Sequence, residues 1–416
     1  MTLLGQFLAV ASLVLPVMAA DKPSVPLSSS SRWIVDTNGE RVKLRCINWP
    51  GHMESNIPEG LSKQSLDYIA DWIADEGFTC VRLTFSIDMA LNQDVSVKES
   101  FQIGASEGGV DEAAVMEQYE LAVEKNAFLG NATRIDVFGA VEEALWERGV
   151  MTVLDNHVSK AKWCCNLDDG NGWWRDAPGY IPANSEFFDT QEWLDGLEAM
   201  AEWSVGRPGV VGVSLRNELR AHVTQILWGG DQWFEKMPQA ARIVHNANPD
   251  VLISIGGLDG GNNLAPLRDE RMPIEDWEGK NVWDAHAYSF TVNTPNFGNC
   301  DIEKAQYGFL FGFVLGDDAE QQGPLWLSEF GVGMDEGDND GLSDEGYEFL
   351  TCLVGYLEGN DADWALWSIA GSYYIREGTV DREDNYGALT KDWSGWRNEK
   401  FKGMLGKMWE VTQGPK

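Results

Sequence analysis

Two glutamates, Glu218 and Glu329, have the residue type and the sequence setting that acid-assisted chemistry needs. Each follows a short apolar run, residues 210–215 for the first and residues 324–327 for the second. We therefore predict that each stands at the end of a buried strand and faces a cleft. Two carboxyl groups that meet in this way can cleave a bond between sugars. Strand-end glutamates are also ordinary surface residues, so the pair alone leaves both interpretations open.

Short β-rich runs alternate with amphipathic helical stretches along most of the chain. The predicted strands are residues 42–48, 78–86, 150–157, 210–218, 251–257, 281–290, 324–331 and 364–374. Helical spacing covers residues 62–76, 135–148, 189–205, 233–248, 302–315 and 343–358, and the connection between the fifth and sixth strands is the least clear. Eight strand–helix repeats predict an α/β chain with one closed (β/α)8 TIM barrel, and an open doubly wound sheet is the alternative.

The chain divides into three predicted segments. Residues 1–20 contain a short apolar run that ends in small residues, which predicts a secretory signal peptide; a membrane anchor is the alternative, although the run is short for a span. Residues 21–40 are predicted as a loose lead-in segment and residues 41–412 as the catalytic domain. Residues 92–131 form an insertion that is a candidate lid or partner surface. We expect a secreted, extracellular protein, in which Asn131 is a glycosylation acceptor.

Charge and motifs restrict the partners. The chain has 31 Lys and Arg against 66 Asp and Glu, a formal net charge of −35, so its surface repels nucleic acid and anionic lipid. We expect a neutral substrate, with neither nucleic acid nor membrane as a partner. Zinc-ligand spacing is absent, and residues 336–341 match a calcium loop poorly. No cofactor or metal is expected.

Six cysteines suggest disulfides in an exported chain: Cys46, Cys80, Cys164, Cys165, Cys300 and Cys352. Six cysteines allow 15 pairings, and the sequence does not choose among them. Because Cys164 and Cys165 are adjacent, we expect them to bond to separate partners.

Six further polar or aromatic residues occur on predicted strands or at their ends, on the rim where the active groups of a barrel collect. They are Arg82, His157, Asn217, His286, Tyr288 and Trp367. Each alone has a structural interpretation, such as a core histidine or a packed tryptophan. Their common position on one rim favours a functional site.

Six short motifs in a fixed order give the chain a resemblance to glycoside hydrolase family 5, and to its cellulase-type members above all. They are Val81-Arg82-Leu83, Leu154-Asp-Asn-His157, Arg216-Asn-Glu218, His286-Ala-Tyr288, Ser328-Glu-Phe-Gly331 and Leu366-Trp367. The stretch 155–172 is similar to a branch of that family found in plants, fungi and bacteria. The resemblance extends from about residue 41 to residue 393.

The resemblance implies a retaining β-glycosidase with Glu329 as nucleophile and Glu218 as acid/base. Arg82 and Tyr288 would hydrogen-bond the nucleophile, and His286 would lie beside the acid/base. A retaining site needs its two carboxyl groups about 5–5.5 Å apart, one ionised and one protonated.

The remaining candidates would bind the sugar. Asn217 would hydrogen-bond its 2-hydroxyl, His157 would bind other hydroxyls, and Trp367 would offer a flat face. Four further loop tryptophans are candidates for stacking on sugars: Trp163, Trp173, Trp174 and Trp228.

The sequence thus predicts a secreted endo-β-1,4-glucanase of cellulase type that acts on a polysaccharide or oligosaccharide. Another β-linked substrate is the alternative among enzymes: a mannan, a β-1,3-glucan or a small β-glycoside. A non-catalytic sugar-binding relative is the alternative outside enzymes. Endo or exo action and oligomeric state stay open.

Overall fold

Eight parallel strands form a closed barrel in the computed structural model, which describes residues 22–229, 232–290 and 299–415. The strands are β1 (Arg45–Trp49), β2 (Cys80–Ser86), β3 (Met151–Val158), β4 (Val210–Ser214), β5 (Leu252–Gly256), β6 (Asn281–Ala287), β7 (Leu325–Phe330) and β8 (Asp363–Leu366). β8 pairs with both β7 and β1, which closes the sheet on itself. The predicted TIM barrel is therefore confirmed.

Helices surround the barrel: α1 (Leu66–Asp75), α2 (Ile87–Leu91), α3 (Val97–Glu107), α4 (Glu112–Lys125), α5 (Arg134–Glu147), α6 (Pro182–Ser185), α7 (Thr190–Trp203), α8 (Val223–Gly229), α9 (Gln232–Ala247), α10 (Cys300–Leu310), α11 (Asp344–Asn360) and α12 (Phe401–Met404). Side-chain caps fix several starts. Ser65 accepts a backbone hydrogen bond at the start of α1, Ser343 does so for α11, and Thr133 forms a capping box with Asp136 at α5.

Three of the predicted strands differ most from the structure. β4 and β6 end earlier than predicted, because the polar residues after them leave the ladder and face the cleft. The eighth predicted strand is two elements, β8 and the first strand of a separate C-terminal hairpin (Ser372–Arg376 and Thr379–Glu383). Between β5 and β6 the chain forms two 3-10 helices, Ala265–Arg268 and Ile274–Trp277; two more, Gly312–Leu315 and Gly406–Trp409, follow α10 and α12.

The insertion, residues 92–131, is helical and supports the C-terminal hairpin. It contains α3, α4 and the 3-10 helix Ala127–Gly130, and α4 contacts both hairpin strands. The rings of Phe101 and Tyr374 lie 4.9 Å apart between the two elements. None of the described residues of the insertion lines the cleft that holds the two glutamates, so the described structure favours a buttress over a lid.

The amino-terminal end of the barrel is closed by a hairpin, Ser28–Ser30 and Trp33–Val35, within the segment predicted as a loose lead-in. Leu27 and Ile34 are fully buried there against residues at or just before the starts of the barrel strands, among them Leu44 and Met151. This apolar contact orders the segment. The predicted signal peptide, residues 1–20, lies outside the described residues.

Three disulfides form among the described residues, and one of them contradicts the sequence expectation. Cys46 pairs with Cys80, its neighbour in the β1–β2 register, and Cys300 of α10 pairs with Cys352 of α11. Cys164 and Cys165 bond to each other rather than to separate partners. The expectation was wrong because the other four cysteines satisfy one another across adjacent elements.

No described helix has the length and apolar character needed to span a membrane.

Candidate active site

The structure brings all eight predicted site residues to the carboxyl end of the barrel. Arg82 lies on β2, His157 on β3, His286 on β6 and Glu329 on β7. The other four follow strand ends: Asn217 and Glu218 after β4, Tyr288 after β6 and Trp367 after β8. Parallel strands in a closed barrel present these ends on one rim, so residues far apart in sequence become neighbours.

The two glutamates face each other across His286. Its Nδ1 lies 3.0 Å from Glu218 Oε1 and 3.7 Å from Glu329 Oε2. Side-chain atoms of these three residues lie within 4.8 Å of one another. One oxygen of each carboxylate thus lies within 4.8 Å of the other, which is compatible with the spacing of retaining glycosidases and shorter than the 6.5–9.5 Å or so of inverting ones.

Glu329 is almost fully buried, and both its carboxylate oxygens are held. Arg82 Nη1 donates to Oε1 at 2.5 Å, and the Tyr288 hydroxyl donates to Oε2 at 3.0 Å. Burial raises the pKa of Glu329, while the positive charges of His286 and Arg82 act in the opposite direction. Burial and the charge of Glu329 raise the pKa of Tyr288 well above its ordinary value, so its hydroxyl stays protonated and donates.

Arg82 is the centre of a buried network that orients the site. Besides Glu329, it donates to Asp155 Oδ1 at 2.7 Å, to Asn217 Oδ1 at 2.9 Å and to Asn48 Oδ1 at 3.0 Å. The guanidinium is inaccessible to solvent. Charge-assisted hydrogen bonds of this kind are strong and directional, so they fix Glu329 and the Asn217 amide relative to each other.

Glu218 stands on a strained turn. Its φ is +40°, a left-handed conformation that costs a non-glycine residue about 1–3 kcal/mol and often marks a functional position. Arg220 Nη1 donates to the Glu218 carbonyl at 2.5 Å and lies 3.9 Å from Oε2.

The pKa of His286 is raised. Burial lowers this pKa, but the charges of Glu329 and Glu218 outweigh the effect of burial.

His157 and Trp367 stack on each other beside the glutamates, with ring centroids 5.2 Å apart and planes 16° apart. Burial lowers the pKa of His157 well below its ordinary value, and the charge of Arg82 adds to this effect. The ring is therefore neutral. Because Nδ1 lies 2.7 Å from Asp155 Oδ2, the network assigns the proton to Nδ1 and leaves Nε2 as an acceptor, 3.3 Å from Asn217 Nδ2.

The cleft over the glutamates has a volume of about 270 Å³. Trp163, Trp367 and the Cys164–Cys165 disulfide contribute to its walls. Of the other candidate tryptophans, Trp173 and Trp174 are buried in the core, where a sugar has no access, so that prediction was wrong. The side chain of Trp228 lies outside the described part of the chain.

A family model matches most of the chain. The model described as cellulase, glycosyl hydrolase family 5, matches residues 35–372. The chain belongs to glycosyl hydrolase family 5. It is a glycoside hydrolase, as the sequence predicted.

This family 5 hydrolase is similar along almost its whole length to other members. It is 36% identical over 414 residues to a glycosyl hydrolase 5 family protein of Chamaecyparis obtusa, covering 97% of this chain and 69% of that protein. It is 23% identical over 434 residues to an endoglucanase of Paenibacillus polymyxa, covering 97% and 94%. Its fold matches that of a Pyrococcus horikoshii endocellulase solved with cellotetraose, at a TM-score of 0.70 and 16% identity, covering 94% and 100%.

Sequence reasoning missed the second layer of this family 5 site. Asp155 joins Arg82 to His157, and Asp284 lies 4.0 Å from His286 Nε2 and is held by Ser254 at 3.0 Å. Asp155 belongs to the motif Leu154-Asp-Asn-His157, and Asp284 lies two residues before His286. Their position on strands β3 and β6 was the available signal, because alternate residues of a strand point to the same side.

Two groups of described side chains in the hydrolase have metal-ligand spacing. One combines His157 with Cys164 and Cys165, and the other is Glu218, His286 and Glu329. In the first group the sulfurs are bonded to each other, so they do not offer the thiolates that a metal needs. The second group is the carboxylate pair itself.

Proposed function

We propose that the chain is a secreted endo-β-1,4-glucanase that retains anomeric configuration, with Glu329 as nucleophile and Glu218 as acid/base. The observation that carries the proposal is the meeting of the two carboxylates, with atoms within 4.8 Å, in the cleft at the carboxyl end of the barrel. This distance leaves room for one anomeric carbon between them but not for an additional water.

In the first step a Glu329 oxygen attacks the anomeric carbon, and the bond to the leaving sugar oxygen breaks. Glu218 gives its proton to that oxygen, and a glycosyl ester forms on Glu329. Arg82 and Tyr288 orient the attacking carboxylate, and the charge of Arg82 favours its ionised form. His286 contacts both carboxylates, so it responds to the charge that leaves Glu329 and appears on Glu218.

In the second step Glu218 acts as a base. It takes a proton from water, the water oxygen bonds to the anomeric carbon, and Glu329 leaves as a carboxylate. Two inversions at one carbon give net retention. The proposed binding residues support the sugar in both steps: Asn217 donates to the 2-hydroxyl, His157 accepts from a hydroxyl and Trp367 faces the ring.

Two observations support β-1,4-glucan as substrate. One sequence relative is named an endoglucanase, and a structural neighbour was solved with cellotetraose. A net charge of −35 is compatible with a neutral polymer. Mannan, β-1,3-glucan, a small β-glycoside and non-catalytic binding are the competing candidates.

A polysaccharide panel with analysis of product configuration tests the proposal. Carboxymethyl cellulose, β-mannan and a β-1,3-glucan are incubated with enzyme, and the first product of cellotetraose hydrolysis is observed by NMR. We expect internal cleavage of the cellulose derivative and initial release of the β-anomer. Initial release of the α-anomer, cleavage of another glycan alone, or no hydrolysis by a folded protein would contradict the proposal.

Secretion is a separate part of the proposal. It is supported by the apolar run in residues 3–17 and by three disulfides, which persist in oxidising compartments. We expect the full chain, expressed in a secretory host, to leave the cell with its amino terminus near Asp21. Retention in the cell with residues 1–20 intact would contradict it.

A further inference from the structure

We propose that the Cys164–Cys165 disulfide is a positioning element of the sugar site: it holds the Asn217 amide toward the 2-hydroxyl of the sugar at the cleavage point. The inference rests on the proposed function and adds a residue pair that the two carboxylates do not require. Opening the disulfide should then weaken the enzyme's use of that one hydroxyl.

The disulfide lies against the amide that is expected to donate a hydrogen bond to the 2-hydroxyl. Asn217 Nδ2 is 3.5 Å from Cys165 Sγ and 3.6 Å from Cys164 Sγ. Both cysteines line the cleft that contains Glu218 and Glu329. The two sulfurs therefore form the wall directly beside the point where the proposed hydrogen bond is made.

The Asn217 amide is fixed from its other side by Arg82. Because Nη2 of Arg82 donates to Asn217 Oδ1 at 2.9 Å, the oxygen faces the buried network and the NH2 group faces the disulfide. Sulfur is a weak acceptor, so it does not compete strongly for an amide N–H. His157 Nε2 lies 3.3 Å from Asn217 Nδ2 and takes one of its two N–H groups. A sugar hydroxyl can take the other, while the sulfurs keep the amide from rotating away.

The disulfide is itself held in place. Arg220 Nη1 lies 3.5 Å from Cys164 Sγ, and the same guanidinium forms a buried salt bridge with Asp169 at 2.9 Å. Asp169 in turn accepts from the backbone N–H of Asn166 at 2.8 Å, the residue after Cys165. Arg220 also holds the Glu218 carbonyl, so one side chain couples the disulfide to the turn that carries Glu218.

The 2-hydroxyl is where such positioning has the greatest effect on rate. Hydrogen bonds to this hydroxyl strengthen as the anomeric carbon gains positive charge in the transition state. A donor that is free to rotate loses that gain, since the interaction must be preorganised to favour the transition state. We therefore expect the disulfide to affect kcat/KM for substrates with the 2-hydroxyl more than for substrates without it.

The test measures kcat/KM for an aryl β-cellobioside and for its analogue that is 2-deoxy at the cleavage-point sugar. The ratio of the two values reports the contribution of the 2-hydroxyl. We expect Cys164→Ala/Cys165→Ala to lower this ratio at least tenfold relative to wild type. A merely structural role would lower both values equally and leave the ratio unchanged, which would overturn the inference.

A second arm uses the wild-type protein, so the result does not depend on folding of the variant. Dithiothreitol reduces the partly exposed disulfide to two thiols and is itself oxidised to its cyclic disulfide. We expect the ratio to fall on treatment and to recover on reoxidation. In the Cys164→Ala/Cys165→Ala variant the reductant should not change the ratio, and in Cys300→Ala/Cys352→Ala it should act as in wild type.

The outcomes are distinguishable. An active enzyme whose ratio is insensitive to both the double substitution and the reductant overturns the role of the disulfide and leaves the proposed function standing. A folded wild-type protein that does not hydrolyse the parent cellobioside overturns the proposed function, and the role of the disulfide falls with it.

Discussion

The two ends of the barrel are built from opposite kinds of residues. At the carboxyl end, Arg82, His286 and Glu329 are buried together with their charges and hydrogen bonds. At the amino end, an apolar cluster that includes Met151 and Trp326 is buried under the N-terminal hairpin. Buried charge costs stability unless it is paired, whereas buried apolar surface supplies it. The free energy that apolar burial contributes at the amino end thus offsets the cost of burying charged groups at the carboxyl end.

The volumes of the cavities do not indicate which end of the barrel holds the candidate active site. A cavity of about 370 Å³ lies near the amino end between Pro26, Arg207 and Asn248. A single carboxylate, that of Asp250, lines it. The cleft at the carboxyl end has the carboxylate pair, so the arrangement of charged groups, rather than volume, makes it the candidate active site.

The largest effect should follow Glu329→Gln at the carboxyl end. We expect kcat to fall by about 10⁴-fold or more, because the amide does not attack the anomeric carbon. The thermal midpoint should change little, since Arg82 keeps Asp155 as its counter-charge. Kinetics on an aryl β-cellobioside and a thermal melt measure both, with the exposed Glu320→Gln as matched control. Equal activity of the two variants would refute the assignment.

Glu218→Gln should have the next largest effect, and one that depends on the leaving group. On cellotetraose, which needs a proton on its leaving oxygen, we expect a loss of about 10²–10⁴-fold. On a dinitrophenyl β-cellobioside the first step should be nearly normal, because that leaving group needs no acid. Azide should then rescue turnover and give a β-glycosyl azide, as seen by product NMR. A uniform loss on both substrates without rescue would argue against an acid/base role.

Removal of the disulfide at the amino end should lower stability without lowering activity, the reverse of what we expect for the two glutamate substitutions. Cys46→Ala/Cys80→Ala opens a loop with a sequence separation of 34, so we expect a loss of about 3–4 kcal/mol in the free energy of unfolding. At 25 °C kcat should be unaffected. Chemical denaturation and kinetics test this, and a large fall in kcat in the folded variant would break the proposed separation of the two ends.

Glu54 is a buried acid at the carboxyl end that does not belong to the Glu218–Glu329 pair, and its ionisation should lower the stability of the fold. Burial raises its pKa from 4.5 to about 7. The folded state therefore binds this proton more tightly than the unfolded state, and stability falls as pH rises from about 4.5 to 7. We expect Glu54→Gln to stabilise by on the order of 2–3 kcal/mol at pH 8 and by almost nothing at pH 4. Thermal melts at both pH values measure this difference. A gain in stability that does not depend on pH would contradict the prediction.

The smallest expected effect is a shift in the pH profile of His286→Asn. The charge of His286 lowers the pKa of Glu329, so its removal should raise that pKa further. Because the proposed attack needs ionised Glu329, the acid limb of kcat/KM should move to higher pH. His245→Asn, on the outer helix α9, is the control and should leave the limb in place. A shift to lower pH in His286→Asn would contradict the electrostatic account.

Much of the fold and of the candidate site could be predicted from the sequence. Buried parallel strands are continuous apolar runs, and their polar ends fall on one rim, so the alternation alone brought Arg82, Glu218 and Glu329 together. The strand ends were less certain: β6 ends at Ala287, three residues before the predicted boundary. Tyr288 has left the ladder and lines the cleft, yet its residue type is common in strands, so residue types alone do not locate the strand end.

Features set by the path of loops could not be predicted. The pairing of Cys164 with Cys165 depends on which sulfurs are near in space, which sequence spacing does not encode. Trp173 and Trp174 belong to a loop by sequence, yet that loop folds back onto the core and buries them. The helical insertion supports the C-terminal hairpin, a contact between segments more than 200 residues apart.

The most direct test of the central claim is to trap the glycosyl ester on Glu329. A dinitrophenyl 2-deoxy-2-fluoro-β-cellobioside has a good leaving group and a fluorine that slows hydrolysis of the ester, so the intermediate should accumulate. Peptide mass spectrometry should then locate one added fluorocellobiosyl group on Glu329. Its presence on another residue, or steady turnover of natural substrate with no adduct formed, would contradict the account.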